Sequence, residues 1–176
     1  AGIAPLFSIN VSFGLYEGGF VFAVNSIALL GALHWLPSLR QHASALSLYL
    51  IMVMGINGVI MTRDLFNLFI FIEITALATY GLLGLEGSAA GLAAGFKYII
   101  ATAIASALLL LGTIFVYHQT GTLNIDGLAE VSELVLKDGG LAFFLMFIAV
   151  VAELKPFPAN GWALDLYESA HPAFSA

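Results

Sequence analysis

One acidic side chain lies well inside an apolar segment that is long enough to cross a membrane. Glu73 stands between Leu65 and Leu85, in a stretch with no other charged residue after Leu65. A charge at the bilayer centre costs at least roughly 2.5–3.5 kcal/mol on insertion scales. Such a residue is retained where a proton or an ion uses it, so Glu73 predicts ion movement. A structural carboxylate that is hydrogen-bonded to a neighbouring helix is the alternative.

A second group of charges lies where another apolar segment is interrupted. Gly139 to Ala152 is apolar over only about two-thirds of the length that crosses hydrocarbon, and Glu153 and Lys155 follow, with two nearby prolines. Prolines break a helix, and a break at membrane depth is tolerated where it is buried in protein or lines a watery cavity. Transporters place such breaks at ion or substrate sites. We therefore predict that Glu153 or Lys155 exchanges charge with Glu73; a mutually neutralised pair that stabilises the kink is the alternative.

Other polar residues within the apolar segments are weaker candidates. Lys97 has alanines at four-residue spacing along its helix face, which favours close packing and an inward lysine that pairs with Glu73; snorkelling to the interface is the alternative. Asn160 and His171 follow the break and are candidates for a proton path. An asparagine that caps the restarted helix is an equally good interpretation of Asn160.

Five apolar segments must position these side chains, and a single all-α transmembrane domain over residues 1–176 is predicted. Asn25 and Asn57 are expected to hydrogen-bond between helices. Thr62-Arg63-Asp64 leaves room only for a tight turn, and a short surface helix is predicted over Leu123 to Leu136. Because the chain begins without Met and ends without a polar tail, we expect an internal piece of a longer polytopic protein. The segments cover about 13–36, 43–61, 65–85, 89–117 and 139–152, the last one broken.

The composition supports a membrane protein and argues against several other classes. Hydrophobic residues make up 61% of the 176 residues and charged residues 9%, with a mean hydropathy of +1.01; a soluble domain carries about 25% charged residues. The net charge of −6 argues against nucleic acid as a partner. There is no cysteine, and the four histidines are too dispersed for a metal site. We expect no cofactor and no redox chemistry in this chain.

Four motifs, in the right order along nearly the whole chain, resemble one family. Asp64-Leu-Phe-Asn-Leu-Phe-Ile-Phe-Ile-Glu73 is similar to the fifth helix of the antiporter-like subunits of respiratory complex I, Mrp-type sodium/proton antiporters and membrane-bound hydrogenases, and nearer the last two. Phe96-Lys97-Tyr98 resembles the sixth-helix lysine motif, and Thr120-Gly121-Thr122-Leu123-Asn124 the loop after it. The last motif resembles the family's broken seventh helix and its exit; here it reads Phe157-Pro158-Ala159-Asn160-Gly161-Trp162, followed by Asp165, Tyr167, Ala170 and Pro172.

The resemblance implies a fold and a function. The family fold is a bundle of about fourteen helices with two inverted five-helix repeats, each with a broken helix; this chain would supply the third to seventh helices. The implied function is translocation of protons or sodium ions through Glu73, Lys97 and the Glu153–Lys155 break. The implied partners are other membrane subunits, the ions and the lipid of a prokaryotic cytoplasmic membrane. Any redox chemistry would belong to those partner subunits.

One position departs from the family pattern. The pumping lysine of the family stands five residues before the proline of its Phe-Pro-x-x-Gly-Trp stretch, and that position here is Glu153. Lys155 stands two residues further on, about 200° around a regular helix. The break would let the Lys155 side chain turn back to the direction of the family lysine, or the Glu153 carboxylate would carry the proton in its place. The departure keeps two alternatives open: a non-pumping scaffold subunit and a stand-alone secondary transporter.

Overall fold

The computed structural model describes residues 10–41, 43–85, 89–130, 139–155 and 160–169, and these residues are mostly helical. Four helices, α1, α3, α4 and α5, are long and apolar enough to cross a membrane, and α7 is a shorter apolar helix. The prediction of an all-α membrane bundle is confirmed. The helices are α1 (Leu15–His34), α2 (Leu36–Gln41), α3 (Ala43–Met61), α4 (Leu65–Leu85), α5 (Ala89–Thr120), α6 (Ile125–Glu130), α7 (Gly140–Glu153) and α8 (Gly161–Ser169).

The observed helix ends lie within two residues of the predicted ones except at three places. The first segment continues past Pro37, because α2 begins at Leu36 and takes the proline into its first turn, where a missing N–H costs no helical hydrogen bond. Helix α5 continues beyond Tyr117 to Thr120. Of the surface helix predicted over 123–136, α6 is observed, and residues 131–138 lie outside the described part of the chain.

The outward faces of these helices are apolar. Phe20 and Phe22 of α1 are 65% and 76% exposed, and Phe147 of α7 is 67% exposed. Monomeric soluble proteins rarely expose large contiguous apolar patches. The exposed phenylalanines, together with the four long apolar helices, therefore indicate an apolar surface of the kind that membrane proteins present.

Successive helices pack against each other, and glycines allow their backbones to approach closely. Helix α3 packs on α1 and α4, while α5 packs on α4, α7 and α8. A Cβ atom at Gly55 of α3 would overlap Oγ1 of Thr75 and lie 3.2 Å from the backbone oxygen of Phe71 in α4. A Cβ atom at Gly112 of α5 would lie 3.1 Å from the backbone oxygen of Ala142 in α7. Small residues at such contacts are typical of membrane helix pairs.

Hydrogen bonds and ion contacts stabilise the predicted tight turn between α3 and α4. Oδ1 of Asp64 accepts hydrogen bonds from the backbone N–H groups of Phe66 and Asn67 at 2.9 and 3.0 Å, which caps α4. The guanidinium of Arg63 contacts the Glu17 carboxylate at 2.7 Å and lies 4.0 Å from the Asp126 carboxylate. The turn is thereby tied to the start of α1 and to α6.

The prediction that Asn25 and Asn57 hydrogen-bond between helices is confirmed, and the structure shows that they bond to each other. Nδ2 of Asn25 donates to Oδ1 of Asn57 at 2.9 Å, and Nδ2 of Asn57 donates to Oδ1 of Asn25 at 3.2 Å. The reciprocal pair joins α1 to α3, as does the Tyr49 hydroxyl of α3, which donates to the backbone oxygen of Ala28 in α1 at 2.7 Å.

We expect this amide pair to show a coupling energy of about 0.6 kcal/mol, the average for polar pairs between membrane helices. The measurement is a double-mutant cycle of Asn25→Ala and Asn57→Ala on the free energy of unfolding in detergent. Among the residues that the structure describes, Ser26 bonds within α1 alone, through Oγ to the backbone oxygen of Phe22 at 2.7 Å. A cycle of Ser26→Ala with Asn57→Ala should therefore show no coupling, and equal values in the two cycles would contradict the prediction.

Candidate functional site

The fifth apolar segment is interrupted at the charges that the sequence singled out. Helix α7 has 14 residues and ends at Glu153, and α8 begins at Gly161. Lys155 has a φ angle of +51°, in the left-handed region. This conformation often ends a helix, usually on glycine, and costs a non-glycine residue roughly 1–2 kcal/mol. The two prolines lie in residues 156–159, outside the described residues.

The left-handed conformation of Lys155 changes the direction of its side chain. On a continued helix, Lys155 would point about 200° away from Glu153. In the structure, both side chains line one cavity of about 170 Å³. Nζ of Lys155 lies 5.9 Å from the centroid of the Tyr98 ring, a cation–π distance. The end of α7 therefore brings Glu153 and Lys155 to the same site.

This first cavity, which we call the polar cavity, lies among α3, α4, α5 and the end of α7. Its polar lining groups are the Thr75 hydroxyl, the Tyr98 side chain and the charges of Glu153 and Lys155. A cavity of this size that offers several polar groups has room for more than one water molecule. The remaining lining residues are apolar: Ile56, Val59, Ile72 and Ala76.

A second cavity of about 230 Å³, the apolar cavity, lies among α4, α5 and α7. Ser106 is its only polar lining residue besides Glu153 in the described chain. Apart from these two side chains, the walls of this cavity offer water few hydrogen-bond partners. Its lining residues are Leu68, Ile72, Ala105, Ser106, Leu109, Ala149, Val150, Glu153 and Leu154.

Glu153 lines both cavities. Its Oε1 atom is buried and accepts no hydrogen bond from the residues that the structure describes. A carboxylate oxygen in that position has a large desolvation cost while it is charged. The Glu153 side chain therefore borders both a polar and a mostly apolar space.

Glu73 lies on α4 and is half-buried. Ile72, which precedes it in the sequence, lines both cavities. Glu73 is within electrostatic range of Glu153. No hydrogen bond or salt bridge to Glu73 occurs among the described residues, so the structural alternative of a carboxylate bonded to a neighbouring helix finds no partner there. The structure thus places Glu73, Glu153 and Lys155 in one electrostatic group.

The expected pairing of Lys97 with Glu73 is not observed. Nζ of Lys97 contacts Oδ2 of Asp165 in α8 at 2.5 Å, and the two side chains are 57% and 45% exposed. The correction has a simple geometric reason, because the side chain of Lys97 projects from α5 towards α8, whereas the neighbouring Tyr98 projects into the polar cavity.

Sequence reasoning missed two residues of the site and left two others undecided. Asp165 and Tyr98 were not named as site residues; the available signals were an acidic residue just after the break and an aromatic residue beside Lys97. The backbone oxygen of Asn160 accepts hydrogen bonds from the N–H groups of Ala163 and Leu164 in the first turn of α8. Asn160 therefore stands at the capping position, and its part in a proton path stays a prediction. His171 lies outside the described residues.

Comparison with known proteins identifies relatives over nearly the whole chain. The family described as NADH:quinone oxidoreductase/Mrp antiporter, TM matches residues 62–176. An NADH-quinone oxidoreductase subunit of Desulforudis audaxviator is 30% identical over 95% of this chain and 34% of the relative. A Na(+)/H(+) antiporter subunit of Alkalihalophilus pseudofirmus is 33% identical over 87% of this chain and 31% of the relative.

A solved structure agrees with the fold. A chain of the membrane-bound sulfane sulfur reductase, an archaeal respiratory membrane complex, superposes with a TM-score of 0.90 and 30% identity. The match covers 99% of this chain and 36% of the other. The chain thus spans about a third of the length of the proteins it matches.

Proposed function

Because the chain belongs to the NADH:quinone oxidoreductase/Mrp antiporter transmembrane family and is an integral membrane protein, we propose that it moves protons or sodium ions across a membrane. It acts as an antiporter-like subunit of a multisubunit complex. The matched relatives are named as subunits, and the matched structure is that of a respiratory membrane complex. The proposed setting is a prokaryotic cytoplasmic membrane, with other membrane subunits as partners.

One observation carries the proposal: the charged residue Glu153 lines both the polar and the apolar cavity. A group in this position can receive an ion from the polar cavity and pass it on when the apolar cavity is hydrated. Its carboxylate is attracted by Lys155 and repelled by Glu73. A proton that arrives on Glu73 removes that repulsion, so a change of charge at one residue is felt at the other.

The sizes of the two cavities among the described residues suit ions better than larger solutes. Binding sites for small organic molecules usually occupy roughly 300–1,000 Å³, whereas the polar and apolar cavities measure about 170 and 230 Å³. A stand-alone transporter of an organic solute would need more space than either cavity offers. A proton or a sodium ion with a few waters fits within the polar cavity.

We expect Glu73→Gln to lower ion uptake several-fold while the complex still assembles. The reason is that the amide has no charge to gain or lose, so it cannot alter the electrostatic potential at Glu153. The measurement is proton and sodium uptake into proteoliposomes that contain the intact complex. Glu168→Gln, which changes an exposed carboxylate on α8, is the matched control and should keep wild-type uptake. Unchanged uptake in Glu73→Gln would leave Glu73 a structural carboxylate and favour the scaffold alternative.

A further inference from the structure

Two neighbouring residues of α5 contact the two sides of the interrupted segment. Lys97 forms a salt bridge with Asp165, which belongs to α8, after the interruption. The ring of Tyr98 faces the ammonium group of Lys155, which directly follows α7, before the interruption. Consecutive helical residues point about 100° apart, so one dipeptide reaches both sides at once.

We propose that Lys97-Tyr98 is a clamp that holds the two sides of the interrupted segment in place, with Asp165 as a positioning residue. The clamp fixes Lys155 beside Glu153 in the polar cavity. This inference rests on the proposed function. It assigns Lys97 a constant charge that holds α8, in place of a charge that titrates during transport.

The need for such a clamp follows from the length of α8. The helix has nine residues, and helices this short are marginal without tertiary contacts. Among the described helices, its main contact is with α5. Ala163, which is 1% exposed, supplies apolar packing. The salt bridge of Asp165 supplies the directional contact that a small methyl group cannot provide.

The conformation of Lys155 gives the clamp a consequence at the ion site. A left-handed lysine persists only where its surroundings hold it. The Tyr98 ring is one such contact, and α8, which begins only six residues after Lys155, restrains Lys155 through the chain. If α8 shifts on α5, Lys155 loses its place, and with it the charge that acts on Glu153.

The first test uses Lys97→Arg in the intact complex. Arginine keeps the positive charge and the bond to Asp165 but does not release its proton. We expect ion uptake close to wild type, whereas Lys97→Met and Asp165→Asn should each lower uptake several-fold. Loss of uptake in Lys97→Arg, with assembly preserved, would show that Lys97 titrates and would overturn the clamp.

The second test measures the distance between α5 and α8 and does not depend on ion transport. The chain has no cysteine, so Phe96→Cys and Leu164→Cys, at residues 60% and 57% exposed, provide label sites on α5 and α8. We expect the distance between two spin labels to be narrowly distributed in the parent and in Lys97→Arg, and broad in Lys97→Met. A narrow distribution in Lys97→Met would overturn the clamp.

The two experiments separate this inference from the proposed function. If Glu73→Gln leaves uptake unchanged, the proposed function fails, yet the label distances still report whether Lys97 holds α8. If the distances broaden but uptake in Lys97→Met stays at the wild-type rate, the clamp is irrelevant to the ion site and the inference fails by itself.

Discussion

Replacement of Glu153 by glutamine is expected to lower ion uptake by the intact complex at least about tenfold, since loss of a proton-transferring side chain costs on the order of 100-fold or more in catalysis. Glutamine has nearly the same shape, so both cavities keep their walls, but the amide cannot accept and release a proton. Because Glu153 lines both cavities, no other described titratable side chain takes its place between them. The measurement is initial uptake into proteoliposomes of equal subunit content.

Two companion variants make this result specific. Glu130→Gln changes an exposed carboxylate at the end of α6 and should keep wild-type uptake. Lys155→Arg keeps a positive charge that does not titrate, and it should retain most of the uptake if Glu153 is the carrier. Loss of uptake in Lys155→Arg together with normal uptake in Glu153→Gln would assign the carrier to Lys155 and contradict the prediction.

Gly55→Ala is expected to lower the free energy of unfolding by about 1–3 kcal/mol, as overpacking of a tight contact does. The added methyl group would overlap Oγ1 of Thr75, and the backbone of α4 leaves little room for it to move away. Because Ile56 and Thr75 both line the polar cavity, separation of α3 from α4 would also enlarge that cavity. Uptake should therefore fall together with stability.

The matched control is Gly84→Ala, on the same pair of helices but with open space around the added methyl group. Alanine is favoured over glycine in a helix by roughly 0.5–1 kcal/mol, so this variant should be slightly more stable than the parent. The measurement is thermal unfolding of the detergent-solubilised complex. The same small stabilisation in both variants would show that α3 and α4 do not approach as closely as the structure has them.

The parts of the fold that the sequence predicted depend on local properties. A run of apolar residues marks a membrane helix because each residue adds to the transfer free energy wherever its neighbours lie. The interruption before α8 and the charge of Glu73 within an apolar run were visible for the same reason. The family resemblance, carried by contiguous motifs, was confirmed by the match over residues 62–176.

The partners of the charged residues depend on the tertiary structure. These helices are apolar on almost every side, so the sequence does not mark which face meets which neighbour. The assignment of Lys97 to Glu73 failed because the lysine meets Asp165, 68 residues away along the chain. The side chains of Lys97 and Tyr98 leave α5 in directions about 100° apart. Only the packing of the helices decides which of the two faces the cavity.

The sequence by itself determined that the chain crosses a membrane, where its fifth apolar segment is interrupted, and which acidic and basic residues lie within apolar surroundings. The tertiary structure decided that Glu153 lines two cavities and that Lys155 turns back beside it. The physical reason is that insertion into lipid is a sum over single residues, whereas a cavity and a left-handed turn exist only where several helices meet.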